Sequence, residues 1–262
     1  MTIKAKKSLG QNFLQDNTIL NKIITAGDVN SEDKVIEIGP GLGALTELLL
    51  ARNCNLTAIE LDDRLIPILN NKFANRGNFE LLHMNALDYI PPNEPYKVIA
   101  NIPYYITSPL INHFLSKQSL KNQQLPETIV ILIQKEVAEK ICSEKSSVIS
   151  LMVKLFGDVE LVTKVPAKAF KPAPKVDSAV IKISNIKDPK LAQLEDFFRL
   201  TKACFLNPRK TIKNNLQHYQ TLKAKEINPD KIFNQLGINP IQRPETLSLA
   251  DWLNLHKLIN LP

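Results

Sequence analysis

At 262 residues, 44% hydrophobic and 23% charged, the chain is long enough for one large α/β domain with a smaller appendage; its longest apolar runs, such as Ile129 to Ile133, fall far short of the roughly 20 residues of a membrane helix. Cys54, Cys142 and Cys204 are odd in number and scattered, and His83, His113, His218 and His256 lack ligand spacing, so neither disulfides nor zinc are indicated. The net charge of +7 is uneven, with 12 Lys+Arg against 7 Asp+Glu in residues 185–262 and 21 against 19 in the rest, which suits a nucleic-acid partner because clustered cations displace counterions from phosphates.

In chain order, Lys4, Lys6 and Lys7 open a basic segment without the apolar stretch of a signal peptide, and the expected compartment is the cytoplasm. Short β-rich runs follow at Val35 to Ile38, Leu56 to Glu60, Phe79 to His83, Lys97 to Ala100 and Thr128 to Ile133. Helical stretches at Gly43 to Arg52, Asp62 to Asn75, Ser108 to Lys117 and Lys135 to Ser143 separate or follow them. That alternation predicts a doubly wound, mostly parallel sheet. Val159 to Val165 and Val176 to Ile183 have no helix between them, so the last strand is expected to run antiparallel. Past Ser184 the texture turns helical, at Leu191 to Phe205, Lys210 to Tyr219, Pro229 to Leu236 and Ser248 to Leu258. The expected division is therefore a sheet domain over 1–184 and a helical domain over 185–262.

VIEIGPGLGALT, Val35 to Thr46, carries a strand straight into Gly39, Gly41 and Gly43 and then a helix. Glycines let the chain turn tightly and let a ligand press on the backbone without meeting a Cβ. Glu60 ends the next strand, where a carboxylate can accept ribose hydroxyls. The same spacing, Gly39-x-Gly41-x-x-Ala44 with an acid beyond it, also fits a nicotinamide dinucleotide site, and a tight turn with no ligand is a third reading. Asn85 follows the third strand, where an amide can meet an adenine ring or simply cap the loop before Ala86.

Asn101-Ile102-Pro103-Tyr104 stands at the carboxyl end of the fourth strand, the rim where such sheets do chemistry. An adenine amine is a poor nucleophile because its lone pair is conjugated into the ring. Two acceptors facing its N–H bonds draw it toward tetrahedral geometry and free that pair. Asn101 supplies a side-chain carbonyl; Pro103 biases Ile102 to an extended conformation and has no N–H, leaving the Ile102 carbonyl as the second acceptor. Tyr104 can stack on an extruded base. Catalysis of this kind is positioning and electrostatics, without a general base. A turn that merely closes a strand is the structural alternative.

Together these residues resemble the KsgA/Erm family of ribosomal RNA adenine methyltransferases over essentially the whole chain, and the KsgA branch most closely. KKSLGQNFL, Lys6 to Leu14, is similar to that branch's N-terminal cofactor motif, IEIGPGLGALT to its glycine motif and NIPY to its NLPY signature. FKPAPKVDS, Phe170 to Ser178, resembles the FxPxPxVxS segment, and CFLNPRKTIKNNL, Cys204 to Leu216, the basic C-terminal segment.

The resemblance implies a class I S-adenosylmethionine-dependent methyltransferase, with Gln11, Asn12, Leu14, Gly39, Gly41, Glu60, Asn85 and Asn101 around the cofactor. It implies Asn101, Ile102, Pro103 and Tyr104 at the target base, with Phe170 opposite Tyr104. Lys6, Lys7, Arg209, Lys210 and Lys213 are expected on RNA phosphates, although Phe13, Leu14 and Phe170 also read as core and the cations as wet surface. The family usually has Asp where this chain has Asn85, which removes a charge-assisted hydrogen bond to the cofactor's adenine. The implied substrate is small-subunit ribosomal RNA in a maturing particle, dimethylated at two adjacent adenines; no membrane or metal is expected, and nothing demands more than a monomer. An Erm-type enzyme acting on large-subunit RNA and a mainly non-catalytic assembly or transcription factor are the rivals.

Overall fold

The computed structural model describes residues 4–6, 9–121, 123–217, 219–224 and 228–260; Lys7 and His218 lie outside the described residues. The strands are β1 (Phe13–Leu14), β2 (Lys34–Ile38), β3 (Asn55–Glu60), β4 (Phe79–His83), β5 (Lys97–Asn101), β6 (Thr128–Gln134), β7 (Asp158–Val165), β8 (Phe170–Lys171) and β9 (Ser178–Ser184). Seven of them form one sheet in the order β4-β3-β2-β5-β6-β9-β7. β4, β3, β2, β5 and β6 are parallel, while β9 is antiparallel to both its neighbours. The antiparallel closing strand is thus present, wedged between β6 and the edge strand β7.

The central strands read as unbroken apolar runs because helices cover both faces of a parallel sheet. Ile129 to Ile133 of β6 are all buried. Where β2 and β5 begin, Lys97 Nζ bonds Asp33 Oδ2 at 2.8 Å and the Asp28 carbonyl at 2.6 Å, pinning the rim away from the glycine turn.

Helix Asn17–Gly27 has no counterpart in the expected elements. Asp16 caps it, accepting from the Thr18 and Ile19 amides at 2.9 and 3.2 Å, and Ile19, Leu20, Ile23 and Ile24 form its buried stripe. The helix expected from Asp62 starts instead at Ile66, because Pro67 has no N–H to donate and fits only the first turn. The expected Ser108 to Lys117 helix is α-helical over Thr107–Asn112 and widens to a π-turn over His113–Lys117. Helix Val148–Phe156 was also not anticipated.

Two compact units result. One holds residues 1–139 and 156–188; the other holds 140–155 and 189–262. The helical unit therefore takes in a segment that interrupts the sheet unit, tied to it by Ser146 Oγ donating to the Leu247 carbonyl at 2.6 Å and by Lys145 to Glu245 at 3.0 Å. Among the described residues, no helix is long and apolar enough to cross a membrane.

Candidate active site

Strand order decides where a ligand fits. β2 sits between β3 and β5, so the chain leaves it toward both sides, and a crevice opens at the carboxyl ends where connections diverge. A cavity of about 480 Å³ occupies that crevice, walled by the turns after β2, β3, β4 and β5 and by residues 9–15 of the N-terminal segment.

Gly39 and Gly41 form its floor, with φ of +71° and +60°. A Cβ on Gly39 would lie 3.2 Å from the Asn101 carbonyl oxygen, and one on Gly41 3.1 Å from the Phe13 ring. Bare backbone is what these positions require.

Glu60 is 6% exposed at the end of β3. Its Oε1 accepts from the Leu61 and Asp62 amides, both at 2.9 Å, and Oε2 from the Gly41 amide at 3.1 Å. Burial raises its pKa while those three amides oppose the rise. Since a carboxylate offers about four acceptor positions, roughly one is left for a ribose hydroxyl in this arrangement, fewer than two hydroxyls would use. Glu37, unremarked in the sequence, is 1% exposed on β2 and also lines the cavity. Its Oε2 lacks a well-formed hydrogen bond, and burial pushes its pKa up to about 8.

Asn85 lines the cavity, but its Oδ1 accepts from the Leu87 amide at 3.1 Å, so it does cap the loop. One lone pair and the amino group remain for a ligand. Leu14 is buried and pairs with Phe170 across β1 and β8. Asn12 donates to the Gly10 carbonyl at 3.1 Å, and Gln11 to Asp62 Oδ2 at 2.7 Å.

Asn101 closes β5 with its side chain making no hydrogen bond to any described residue, and the Ile102 carbonyl likewise receives no donor among them. Both residues line the cavity, although Ile102 as a whole is 3% exposed. Pro103, at φ −57° and ψ 134°, turns the chain into a short helical turn, Tyr104–Ile106. The Tyr104 hydroxyl and Ser178 Oγ share a hydrogen bond of 2.6 Å, which fixes the ring. Phe170 lines the same cavity yet is 5% exposed and belongs to the buried core. Sequence reasoning missed Ser178 as Tyr104's anchor, although it is the last residue of FKPAPKVDS; it also passed over Gly10 and the 61% exposed Tyr105 in the wall.

Of the expected RNA contacts among the described residues, Lys6, Arg209, Lys210 and Lys213 do not line the cavity. Lys6 is exposed, and its backbone N–H donates to Gln11 Oε1 at 2.8 Å. In the helical unit Arg209 and Lys210 are exposed, without an ion pair among the described residues, whereas Lys213 is already engaged with Asp230 at 2.8 Å.

Those residues fit S-adenosylmethionine. The glycine floor admits a ligand against backbone, and Glu60 keeps an acceptor for a ribose. Among the described residues, no group of three or more His, Cys, Asp or Glu could hold a metal ion.

Residues 2–259 match the family model described as ribosomal RNA adenine dimethylase. The chain is 42% identical over 266 residues to the ribosomal RNA small subunit methyltransferase A of Dehalococcoides mccartyi strain CBDB1, covering 97% of this chain and 88% of that one. It is 40% identical to the protein of the same name from Fusobacterium nucleatum subsp. nucleatum, covering 98% of each. Among solved structures, a dimethyladenosine transferase from Plasmodium falciparum superposes with a TM-score of 0.75 at 28% identity, covering 93% of this chain and 95% of that one. The 23S rRNA methyltransferase ErmE gives 0.72 at 27% identity, covering 95% and 100%. A match so nearly end to end, joined to an adenosine-sized crevice floored by bare glycine backbone, removes the nicotinamide reading: this chain belongs to the ribosomal RNA adenine dimethylase family, whose methyl donor is S-adenosylmethionine.

Proposed function

We propose that the protein dimethylates the exocyclic amines of two adjacent adenines near the 3′ end of small-subunit ribosomal RNA, within a maturing particle in the cytoplasm. The observation that carries this reading is a pair of free acceptors in one cavity: the Asn101 side-chain carbonyl and the Ile102 backbone carbonyl, neither holding a donor among the described residues. Two acceptors left without protein donors in one cavity suit a ligand that presents two N–H bonds to them.

S-adenosylmethionine supplies an electrophilic methyl group on a sulfonium sulfur. This chain's residues do the rest. Glu60 and Asn85 orient the nucleoside, and the Gly39 to Gly43 turn brings backbone against it. Asn101 and Ile102 grip the two N–H bonds of a flipped adenine and pull its amine out of conjugation, while Tyr104, held by Ser178, stacks on the base. Phe170 meets the base only from within the cavity, because so little of it is exposed. The departing proton passes to water. The helical unit, through Arg209 and Lys210, holds RNA phosphates, with the protein acting as a monomer.

The large-subunit alternative is weaker because relatives 40–42% identical carry small-subunit names, whereas ErmE is 27% identical. To test the assignment, purified protein is incubated with labelled cofactor and undermethylated small subunits, and modified positions are mapped by mass spectrometry. Label is expected on two adjacent small-subunit adenines; label confined to large-subunit RNA would overturn the proposal. Asn101→Ala should lower the rate roughly a hundredfold or more, the scale for losing one preorganised polar group. A folded Asn101→Ala protein with near-wild-type turnover would falsify its role, whereas particle binding without turnover would leave room for an added assembly role.

A further inference from the structure

A relay of side chains fastens the N-terminal wall of the cavity to the turn after β3, and of its members only Gln11 has been given a role above. Asp62 is its hub, 1% exposed. Arg64 grips that carboxylate with a fork, Nε to Oδ1 at 2.9 Å and Nη2 to Oδ2 at 2.6 Å. Gln11 Nε2 donates to the same Oδ2 at 2.7 Å, while Gln11 Oε1 accepts from the Lys6 amide at 2.8 Å. Arg64 Nη1 also reaches the Lys4 carbonyl at 3.3 Å. On its other side the Asp62 amide donates to Glu60 Oε1 at 2.9 Å.

We propose that Asp62 is a positioning residue for the cofactor: with Arg64 it clamps Gln11, and through Gln11 the wall segment from Leu9 to Leu14, against the cavity, so that the clamp sets how long S-adenosylmethionine stays bound. Three features carry this. The segment has little core of its own, since Leu14 is its one buried residue and β1 and β8 its one two-residue strand pair. Gln11 is held at both ends of its amide, and an amide held at both ends presents a fixed face to the cavity. The same backbone turn positions Glu60 and Asp62, so the floor and the wall share one anchor. A bidentate charged fork on a buried carboxylate is among the stronger tethers available. The Arg64 guanidinium beside Asp62 holds its carboxyl well below the usual carboxylate range, which keeps the fork charge-assisted.

The inference rests on reading this cavity as the cofactor site, and the test separates the two. Affinity for S-adenosylmethionine and its demethylated product is measured by calorimetry, dissociation by stopped flow, and opening of residues 9–14 by amide hydrogen exchange in cofactor-free protein. Asp62→Ala should weaken affinity and speed dissociation about tenfold, raise KM for the cofactor far more than it lowers kcat, and increase exchange. Because removing a buried hub can disturb folding, Gln11→Glu gives a second route. It sets two carboxylates against each other and should weaken binding as much. Adding Asp62→Asn restores a donor opposite the new carboxylate and should recover most of the loss, a rescue that nonspecific destabilisation would not produce. Wild-type dissociation and exchange in folded Asp62→Ala, or a double variant no better than the worse single one, overturns the clamp. If Glu60→Ala binds the cofactor as tightly as wild type, the cavity reading fails and the clamp with it.

Discussion

Glu37 places a carboxyl group in the cavity wall with Oε2 unpartnered, and the energetic consequence depends on pH. Its folded pKa of about 8 stands above the ordinary 4.5 because burial disfavours the charge. Between those values the folded protein keeps a proton that the unfolded chain releases, so this residue's stabilising effect is lost as pH rises from 4.5 through 8. Glu37→Gln, permanently neutral, should show a shallower fall in Tm over that window than wild type. Parallel Tm profiles would remove the buried-proton account. The cavity-lining residues at strand ends, Gly39, Glu60 and Asn101, were legible as candidates in the sequence because a glycine, an acid and an amide each closing a β-run is itself a pattern. Their partners were not. Gln11 meets Asp62 from 51 residues away and Tyr104 meets Ser178 from 74, and no local rule connects such distant positions.

At the scale of elements, the glycine turn fixes how the helix Ala44–Leu50 leaves the sheet. Gly43 caps it at φ +79°, and a Cβ there would come within 2.7 Å of the Phe73 ring, which is packed between neighbouring elements. Gly43→Ala combines backbone strain with overpacking and should cost about 2 kcal/mol or more. Thermal unfolding measures it, and an unchanged Tm would show that the ring swings aside freely. Strands were readable because a parallel sheet covered on both faces writes itself as dense Val/Ile/Leu runs bounded by turns. Helices were less so where other signals intervened. Asn17–Gly27 carries a clear apolar stripe and an Asp cap, yet it begins three residues after the KKSLGQNFL motif, which drew the reading of this region. Asp62 has the appearance of a helix start because its turn precedes one, but its amide is committed to Glu60 and Pro67 sets the true first turn.

For the molecule as a whole, the surplus positive charge gathers in residues 185–262, and the structure divides those cations by availability. Arg209 and Lys210 stand free of ion pairs among the described residues, while Lys213 already faces Asp230. Replacing Arg209 and Lys210 by Ala should weaken RNA binding and flatten its dependence on salt by roughly 0.7 to 0.9 in the log–log slope per lost phosphate contact. Lys213→Ala should do less, because its charge is partly spent. Filter binding across a salt series checks both, and equal slopes for all variants would count against phosphate contact. The change to helical texture after Ser184 was visible in the sequence. The membership of 140–155 in the helical unit was not, because it depends on pairings such as Ser146 with Leu247 across 101 residues.

β9 has a further consequence for how the enzyme comes into being on its own ribosome. It is the last strand to be synthesised, yet it lies inside the sheet, and its first residue is the serine that steadies Tyr104. A nascent chain that stops short of it leaves β6 and β7 unjoined and the Tyr104 hydroxyl without its Ser178 partner. Closure of the sheet and anchoring of the Tyr104 ring in the cavity wall therefore wait on the same strand.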